Sequence, residues 1–112
     1  MNEDAFRAVA DPTRRAIIDA LAGGERTVSD LCALFDVTQS AVSQHLRVLR
    51  EAGLVEVRAD GRHRHYRLHA EPLRAVHDWT ATYRRFWTER LDAIGAVLDR
   101  EAARLRRKGR RS

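Results

Sequence analysis

Apolar residues recur along the first half of the chain at intervals of three and four, the signature of helices that bury one face. Phe6 and Val9 mark a short helical segment from Asp4 to Ala10. Asp11-Pro12 then sets a capping carboxylate before a proline at the first helical position, and Ile17, Ile18 and Leu21 form the inward stripe of the next helix. Gly23-Gly24 closes that helix at about Ala22. Thr27-Val28-Ser29-Asp30 carries the reciprocal capping pattern and opens a short helix with Leu31, Leu34 and Phe35 directed inward. After a break at Asp36-Val37, Thr38 caps a helix that runs to about Ala52 and stops at Gly53.

Beyond Gly53 the period changes. Val55, Val57 and the stretch His65 to Leu68 suit strands, and Asp60-Gly61 between them is a two-residue hairpin signal. Glu71-Pro72 starts a last helix expected to reach about Ala103. Its positions Val76, Thr80, Tyr83, Trp87, Leu91, Ile94 and Leu98 are spaced by four or three, close to a heptad repeat. The predicted fold class is mainly α with a small β-hairpin. A short helix, a tight turn, a polar-faced helix and a basic hairpin make a winged helix-turn-helix.

On a helical wheel, Val42, Leu46 and Leu49 share one face of the Thr38-capped helix, within about 60° of each other. Ser40, Ser43, Gln44 and Arg47 lie on the opposite face. Small hydrogen-bonding groups near a helix N-terminus, with a cation one turn on, suit the base edges and phosphates of a major groove. A solvated polar face would look the same in this helix alone, so the hairpin decides the matter. Arg58, Arg62, Arg64 and Arg67 surround its turn, and Asp60 is the only acid from Val57 to Ala70. Contact with phosphates calls for one sign of charge in this way. Candidate DNA-binding residues are therefore Thr38, Gln39, Ser40, Ser43, Gln44, Arg47, Arg58, Arg62 and Arg64.

Net charge adds less than it first suggests. The chain of 112 residues is +5 overall, but residues 104–112 hold six basic side chains and no acid. The remainder carries 15 basic and 16 acidic residues. Positive charge within that remainder is concentrated in residues 38–69, with six basic against three acidic groups, whereas residues 1–37 carry four against seven. No apolar run approaches the ~18 residues of a membrane span, and the first residues lack the basic-then-apolar order of a secretory signal. With Cys32 as the only cysteine, a cytoplasmic setting without disulfides is expected. No Gly-rich phosphate loop or paired acidic cluster supports catalysis, so no enzyme is expected.

Asp11-Pro12-Thr13-Arg14-Arg15, the string Ser40-Ala41-Val42-Ser43-Gln44-His45-Leu46-Arg47-Val48-Leu49-Arg50-Glu51-Ala52-Gly53-Leu54-Val55, and Asp60-Gly61-Arg62 together resemble the ArsR/SmtB family of repressors. The resemblance covers about residues 4–70. It implies a homodimer, joined by its terminal helices, that occupies a palindromic DNA operator and lets go when an inducer arrives. Metal-sensing members carry a cysteine box of pattern E-L-C-x-C-D. Here the matching residues are Glu25-Arg26-Thr27-Val28-Ser29-Asp30, with Thr27 and Ser29 in place of both thiolates. Hydroxyls do not replace thiolates in a soft-metal site. The family's second metal site, on the last helix, needs several imidazoles, and His77 is the only histidine there. No metal or cofactor is expected. A novel site among His63, His65, His69 and His77, or a redox role for Cys32, stays open beside the plainer reading of solvated histidines and a buried thiol. His45, between Val42 and Leu46, is expected to be a half-buried structural histidine.

Four of the seven aromatic residues, Trp79, Tyr83, Phe86 and Trp87, fall on the last helix. A monomer of this size cannot cover such a stripe, so a second copy is the natural partner. Phe6, Val76, Trp79, Tyr83, Trp87, Leu91 and Ile94 are the candidate dimer residues. Expected partners are double-stranded DNA, a second copy and an unidentified small-molecule inducer, with no membrane. Residues 1–103 are expected to form the DNA-binding and dimerisation domain, and residues 104–112 a disordered basic tail. A metal- or thiol-responsive repressor of the same fold is the alternative. A protein-interaction module that has lost DNA binding is a third, and the polar and basic character of Gln44, Arg47, Arg62 and Arg64 speaks against it.

Overall fold

The computed structural model describes residues 3–110. The chain runs α1 (Glu3–Val9), α2 (Pro12–Ala22), α3 (Val28–Phe35), α4 (Gln39–Glu51), β1 (Val55–Asp60), β2 (His63–Leu68), α5 (Leu73–Ala81) and α6 (Arg84–Arg110). It divides into two compact units, Met1–His77 and Asp78–Ser112.

In the first unit the Asp11-Pro12-Thr13-Arg14-Arg15 segment joins α1 to α2 by satisfying both helix ends. The Asp11 carboxylate accepts the Arg14 backbone N–H at 3.0 Å, and this hydrogen bond holds its carboxyl below the ordinary value. The last carbonyls of a helix have no partner within it. Arg14 reaches back to fill that gap, donating from Nε to the Ala8 carbonyl at 2.8 Å and from Nη2 to that of Arg7 at 3.0 Å. Arg15 donates to the Val9 carbonyl at 2.7 Å. Sequence reasoning identified the Asp11 cap but not this use of the two arginines.

Thr27 and Asp30 form the expected capping box of α3, at 3.1 and 2.9 Å. The helix ends at Asp36, which takes a left-handed conformation (φ 50°) and donates its N–H to the Cys32 carbonyl. A short polar side chain tolerates that conformation better than most. Two residues later Thr38 caps α4, its hydroxyl accepting the Ala41 N–H at 3.1 Å. At the far end Gly53, at φ 76°, closes a Schellman turn. Its N–H bonds the Arg50 carbonyl and the Leu54 N–H bonds that of Leu49, both at 2.9 Å. Leu49 and Leu54 are both fully buried, so the turn closes over its own apolar contact.

The core comprises Ile17, Leu31, Val42, Leu46, Leu49 and Leu54 with Ala8, Ile18, Leu21, Val55 and Tyr66. β1 and β2 pair antiparallel from Val55↔Leu68 to Asp60↔His63. The two residues of the turn are thus Gly61 and Arg62, one position beyond the expected Asp60-Gly61. Gly61 has φ 61°, the left-handed geometry that a glycine accepts at the first position of a tight hairpin turn. Arg26 adds a bridge to the hairpin that sequence reasoning missed, exchanging backbone hydrogen bonds with Tyr66 at 2.8 and 3.0 Å.

Other expectations need correction. Leu34 was expected inward but is 58% exposed, at the rim of a shallow groove of about 470 Å³ that Ala16, Ala20, Arg26 and Phe35 also line. An eight-residue helix has room for one buried row, and Leu31 fills it. Cys32 is half-buried, packed against the core. His45 is half-buried, as expected, with Nδ1 3.9 Å from the Asp11 carboxylate.

The single last helix is in fact two. The helical ladder is interrupted at Thr82 and Tyr83, whose N–H groups bond to carbonyls three residues back rather than four. Thr80, Thr82 and Tyr83 are poor helix formers, and threonine hydroxyls compete for the backbone. In the second unit α6 runs on to Arg110, so residues 104–110 are helical rather than a disordered tail. The Glu101–Arg104 ion pair, one turn apart, supports that extension. Arg111 and Ser112 lie outside the described residues. The boundary between the two compact units falls within α5.

The order of α3, turn, α4 and hairpin makes the first unit a winged helix-turn-helix. Its joining segment is directly testable. Arg14→Leu should cost about 1–3 kcal/mol, because it removes charged hydrogen bonds to the α1 carbonyls. Arg15→Leu, whose bond is exposed, should cost less. Urea denaturation should show lower midpoints with unchanged slopes. Equal stability of Arg14→Leu and wild type would refute this account of the motif.

Candidate nucleic-acid interface

The surface of α4 follows directly from which of its residues the core claims. With Val42, Leu46 and Leu49 buried, Gln39, Ser40, Ser43, Gln44 and Arg47 are all left exposed. None of these five side chains is needed for packing. Thr38 is also exposed, but its hydroxyl oxygen is committed to the cap, which leaves its O–H as a donor. Arg47 donates to Glu51 at 3.2 Å in a pair that is 81% and 66% exposed. Such a pair is worth a few tenths of a kcal/mol. A phosphate could displace it at little cost.

The wing has two distinct faces. Cross-strand partners share a face, so Val55, Val57, Tyr66 and Leu68 stand on the packed side, with Ala59 and Arg64 continuing it toward the tip. Glu56, Arg58, Asp60, His63, His65 and Arg67 stand on the other. The four wing arginines are therefore not equivalent. Arg58 donates to Glu25 at 2.9 Å and lies 4.0 Å from Asp60. The hydrogen bond from Arg58 holds the Glu25 carboxyl below its ordinary value, and Glu25 in turn raises the Arg58 guanidinium. Arg67 bonds Glu56 at 2.8 Å through Nε. Arg62, in the turn, and Arg64, near the tip, are exposed and have no ion pair among the described residues. They are the two wing cations available to an incoming anion without breaking a bond.

Two of the histidines in and beside the wing each face one carboxylate. His65 Nε2 lies 3.9 Å from Asp60, and His69 Nδ1 lies 3.8 Å from Glu56. Among the described residues no three His, Cys, Asp or Glu side chains are grouped so as to hold a metal ion. Thr27, where a metal-binding thiolate would stand, uses its hydroxyl to cap α3. No helix of the described residues is long and apolar enough to cross a membrane. Glu25 was not singled out from the sequence as touching the wing. It lies 33 residues from Arg58 in sequence, and the neighbouring Arg26–Tyr66 bridge brings the two segments together.

The candidate dimer residues present a different surface. Among the described residues, nine of the ten large apolar side chains that are markedly exposed lie between Trp79 and Leu105. Trp79, Tyr83, Trp87, Leu91 and Ile94 are 43–60% exposed, while Val76 and Phe6 are half-buried. Trp79 and Tyr83 meet edge to face at 5.6 Å, and Tyr83 lies 6.2 Å from Phe86.

Comparison with known proteins agrees with this geometry. The family model for bacterial regulatory proteins of the arsR family matches residues 11–57. The HTH-type transcriptional regulator Rv2034 of Mycobacterium tuberculosis is 41% identical over 97 residues, 87% of this chain and 88% of that protein. The transcriptional repressor SdpR of Bacillus subtilis is 32% identical, covering 70% of this chain and 87% of its own. The crystal structure of a possible transcriptional regulator for arsenical resistance superposes with a TM-score of 0.63 at 46% identity. That match covers 83% of this chain and 94% of the other.

The Glu25–Arg58 pair gives this surface a testable polarity. Glu25→Gln removes an anion beside the wing and frees a guanidinium. Binding to any duplex should tighten, and the slope of log affinity against log salt should steepen by about one unit. Weaker binding on a salt series would show instead that Glu25 holds Arg58 in its working position.

Proposed function

The chain belongs to the ArsR family of bacterial regulatory proteins and is a DNA-binding transcriptional regulator, and from this we propose that it acts as a homodimeric repressor that reads a palindromic operator with α4 and grips its backbone with the wing. The observation that carries the reading is the division of α4. One row of the helix is consumed by the core, and the opposite row is polar, exposed and free of structural duty. Gln44, one turn beyond Ser40, has the paired donor and acceptor that match adenine in the major groove. Gln39, Ser40 and Ser43 flank it as further base or phosphate contacts. Arg47 exchanges Glu51 for DNA, and Arg62 and Arg64 hold the flanking phosphates. Arg58 joins them only when Glu25 releases it.

The second copy is supported by the unit Asp78–Ser112. Its exposed row of Trp79, Tyr83, Trp87, Leu91 and Ile94 is a larger apolar surface than an isolated protein usually shows water. A C2 dimer would bury each row against its equivalent, with Val76 and Phe6 adding contacts. Two copies of α4 then face two half-sites, which is why the operator is palindromic. The release signal is a small molecule rather than a thiophilic metal at the Thr27–Ser29 position, where no thiolate is present. The repressor works in the cytoplasm, where a free Cys32 stays reduced.

Two experiments test these assignments. For base reading, the wild-type protein selects a duplex from a random-sequence pool, and a scrambled duplex of equal length is the control. Gln44→Ala should lose about 1–3 kcal/mol per half-site on the selected duplex and little on the scrambled one. Arg64→Ala should weaken both and flatten the salt dependence by about one unit for each phosphate no longer neutralised. Equal weakening of both duplexes by Gln44→Ala would mean that sequence is read elsewhere.

For assembly, Trp87→Glu with Leu91→Glu forces charge into the apolar row and should yield monomers or aggregates. An intact dimer of that double variant in sedimentation at micromolar concentration would move the interface off α6.

A further inference from the structure

We propose that the last two turns of α6 form a second contact for double-stranded DNA, blind to base sequence, that supplies the long-range attraction the winged unit lacks. The proposal rests on the DNA-binding reading above. Its first support is the distribution of charge. Residues 104–112 carry six basic side chains and no acid, and without them the chain has 15 basic and 16 acidic residues. The whole net charge of +5 therefore comes from this segment.

The second support comes from the ion pairs. The sequence puts six arginines into residues 38–69, which suggests a strongly positive reading surface. Three of them are neutralised where they stand: Arg47 by Glu51, Arg58 by Glu25 and Arg67 by Glu56. Arg50, Arg62 and Arg64 remain without an ion pair among the described residues. Duplex DNA presents one negative charge per about 1.7 Å of its axis, and non-specific affinity grows with the number of phosphates neutralised. Three such cations in the reading segment, on a unit of near-zero net charge, give weak steering at physiological salt.

The third support is the placement of the cations on the helix. At about 100° per residue, Trp87, Leu91, Ile94, Leu98 and Leu105 fall within about 60° of one another. Arg104, Arg106, Arg107 and Lys108 are exposed and fall outside that sector. Covering the apolar row would leave these cations in water. Among the described residues Glu101 engages Arg104 alone. One or two cations would complement the helix dipole, and the remainder exceeds that need. Duplex DNA is the polyanion that fits, because the same chain already carries a duplex reader. Once α4 and the wing are bound, the cluster meets phosphates at the high effective concentration set by its covalent link.

The test is a salt series with the full chain on the pool-selected duplex and on a scrambled duplex. The variant Arg106→Gln, Arg107→Gln, Lys108→Gln, Arg110→Gln should weaken both about tenfold or more and lower the log–log salt slope by about one unit for each phosphate released. The ratio between the two duplexes should stay unchanged, because base reading lies in α4. A second variant, Arg106→Lys, Arg107→Lys, Arg110→Lys, keeps the charge and should keep the wild-type slope. It also guards against misreading a folding defect in the first. An unchanged slope in the glutamine variant overturns the proposal, as does a loss confined to the selected duplex. Binding of wild type to phosphatidylserine vesicles, abolished by the glutamine variant while its DNA slopes stay intact, would assign the cluster to a membrane instead. Failure of the wild type to select any duplex would defeat the operator reading rather than this one, since the scrambled-duplex slopes would still respond.

Discussion

The structure depends on the burial of Val42, Leu46 and Leu49 along one side of α4. These residues meet Ile17 and Leu21 of α2, Leu31 of α3, Leu54 of the turn after α4 and Tyr66 of the hairpin in one cluster. Each full burial of such a side chain is worth about 1.5–3 kcal/mol, several times any exposed ion pair on this surface. The core therefore sets the rotation of α4 about its own axis, and the ion pairs adjust to it. Once that rotation is set, Ser40, Ser43, Gln44 and Arg47 have no choice but to face solvent.

The same burial positions the wing. The turn at Gly53 must reverse the chain within two residues while Leu49 and Leu54 stay in the core, and its positive φ makes this possible. Leu54 then accepts the His69 N–H at 2.7 Å, tying the far end of the hairpin to its start. Arg26 and Tyr66 fasten the hairpin to the entry of α3. At the wing tip Asp60 faces Arg58 and His65, while Arg62 and Arg64 have no ion pair among the described residues.

The two units solve opposite problems. Met1–His77 hides its apolar residues and shows polar ones, whereas Asp78–Ser112 shows apolar ones along most of α6. The heptad spacing is not perfect. Glu101 stands where the pattern after Leu98 asks for an apolar residue, and it is bonded to Arg104. Apolar and cationic residues thus share one helix by occupying different sectors of its surface.

Much of this was determined by sequence alone, wherever the cause is local. The caps at Asp11, Thr27 and Thr38, the stop at Gly53 and the inward rows of α2 and α4 depend on residues within one or two turns of each other. The polar face of α4 was legible for the same reason, because a 3.6-residue period leaves only one face opposite the apolar row. What the tertiary structure decided involves partners far apart in the chain. That Arg58 is held by Glu25 and Arg67 by Glu56, while Arg62 and Arg64 have no ion pair among the described residues, follows from hairpin register and from the Arg26–Tyr66 bridge. The exposure of Leu34, the break at Thr82-Tyr83 and the reach of Arg14 to the α1 carbonyls are of the same kind. Periodicity states which residues can share a face, but only packing decides which face is covered and which carboxylate meets which guanidinium.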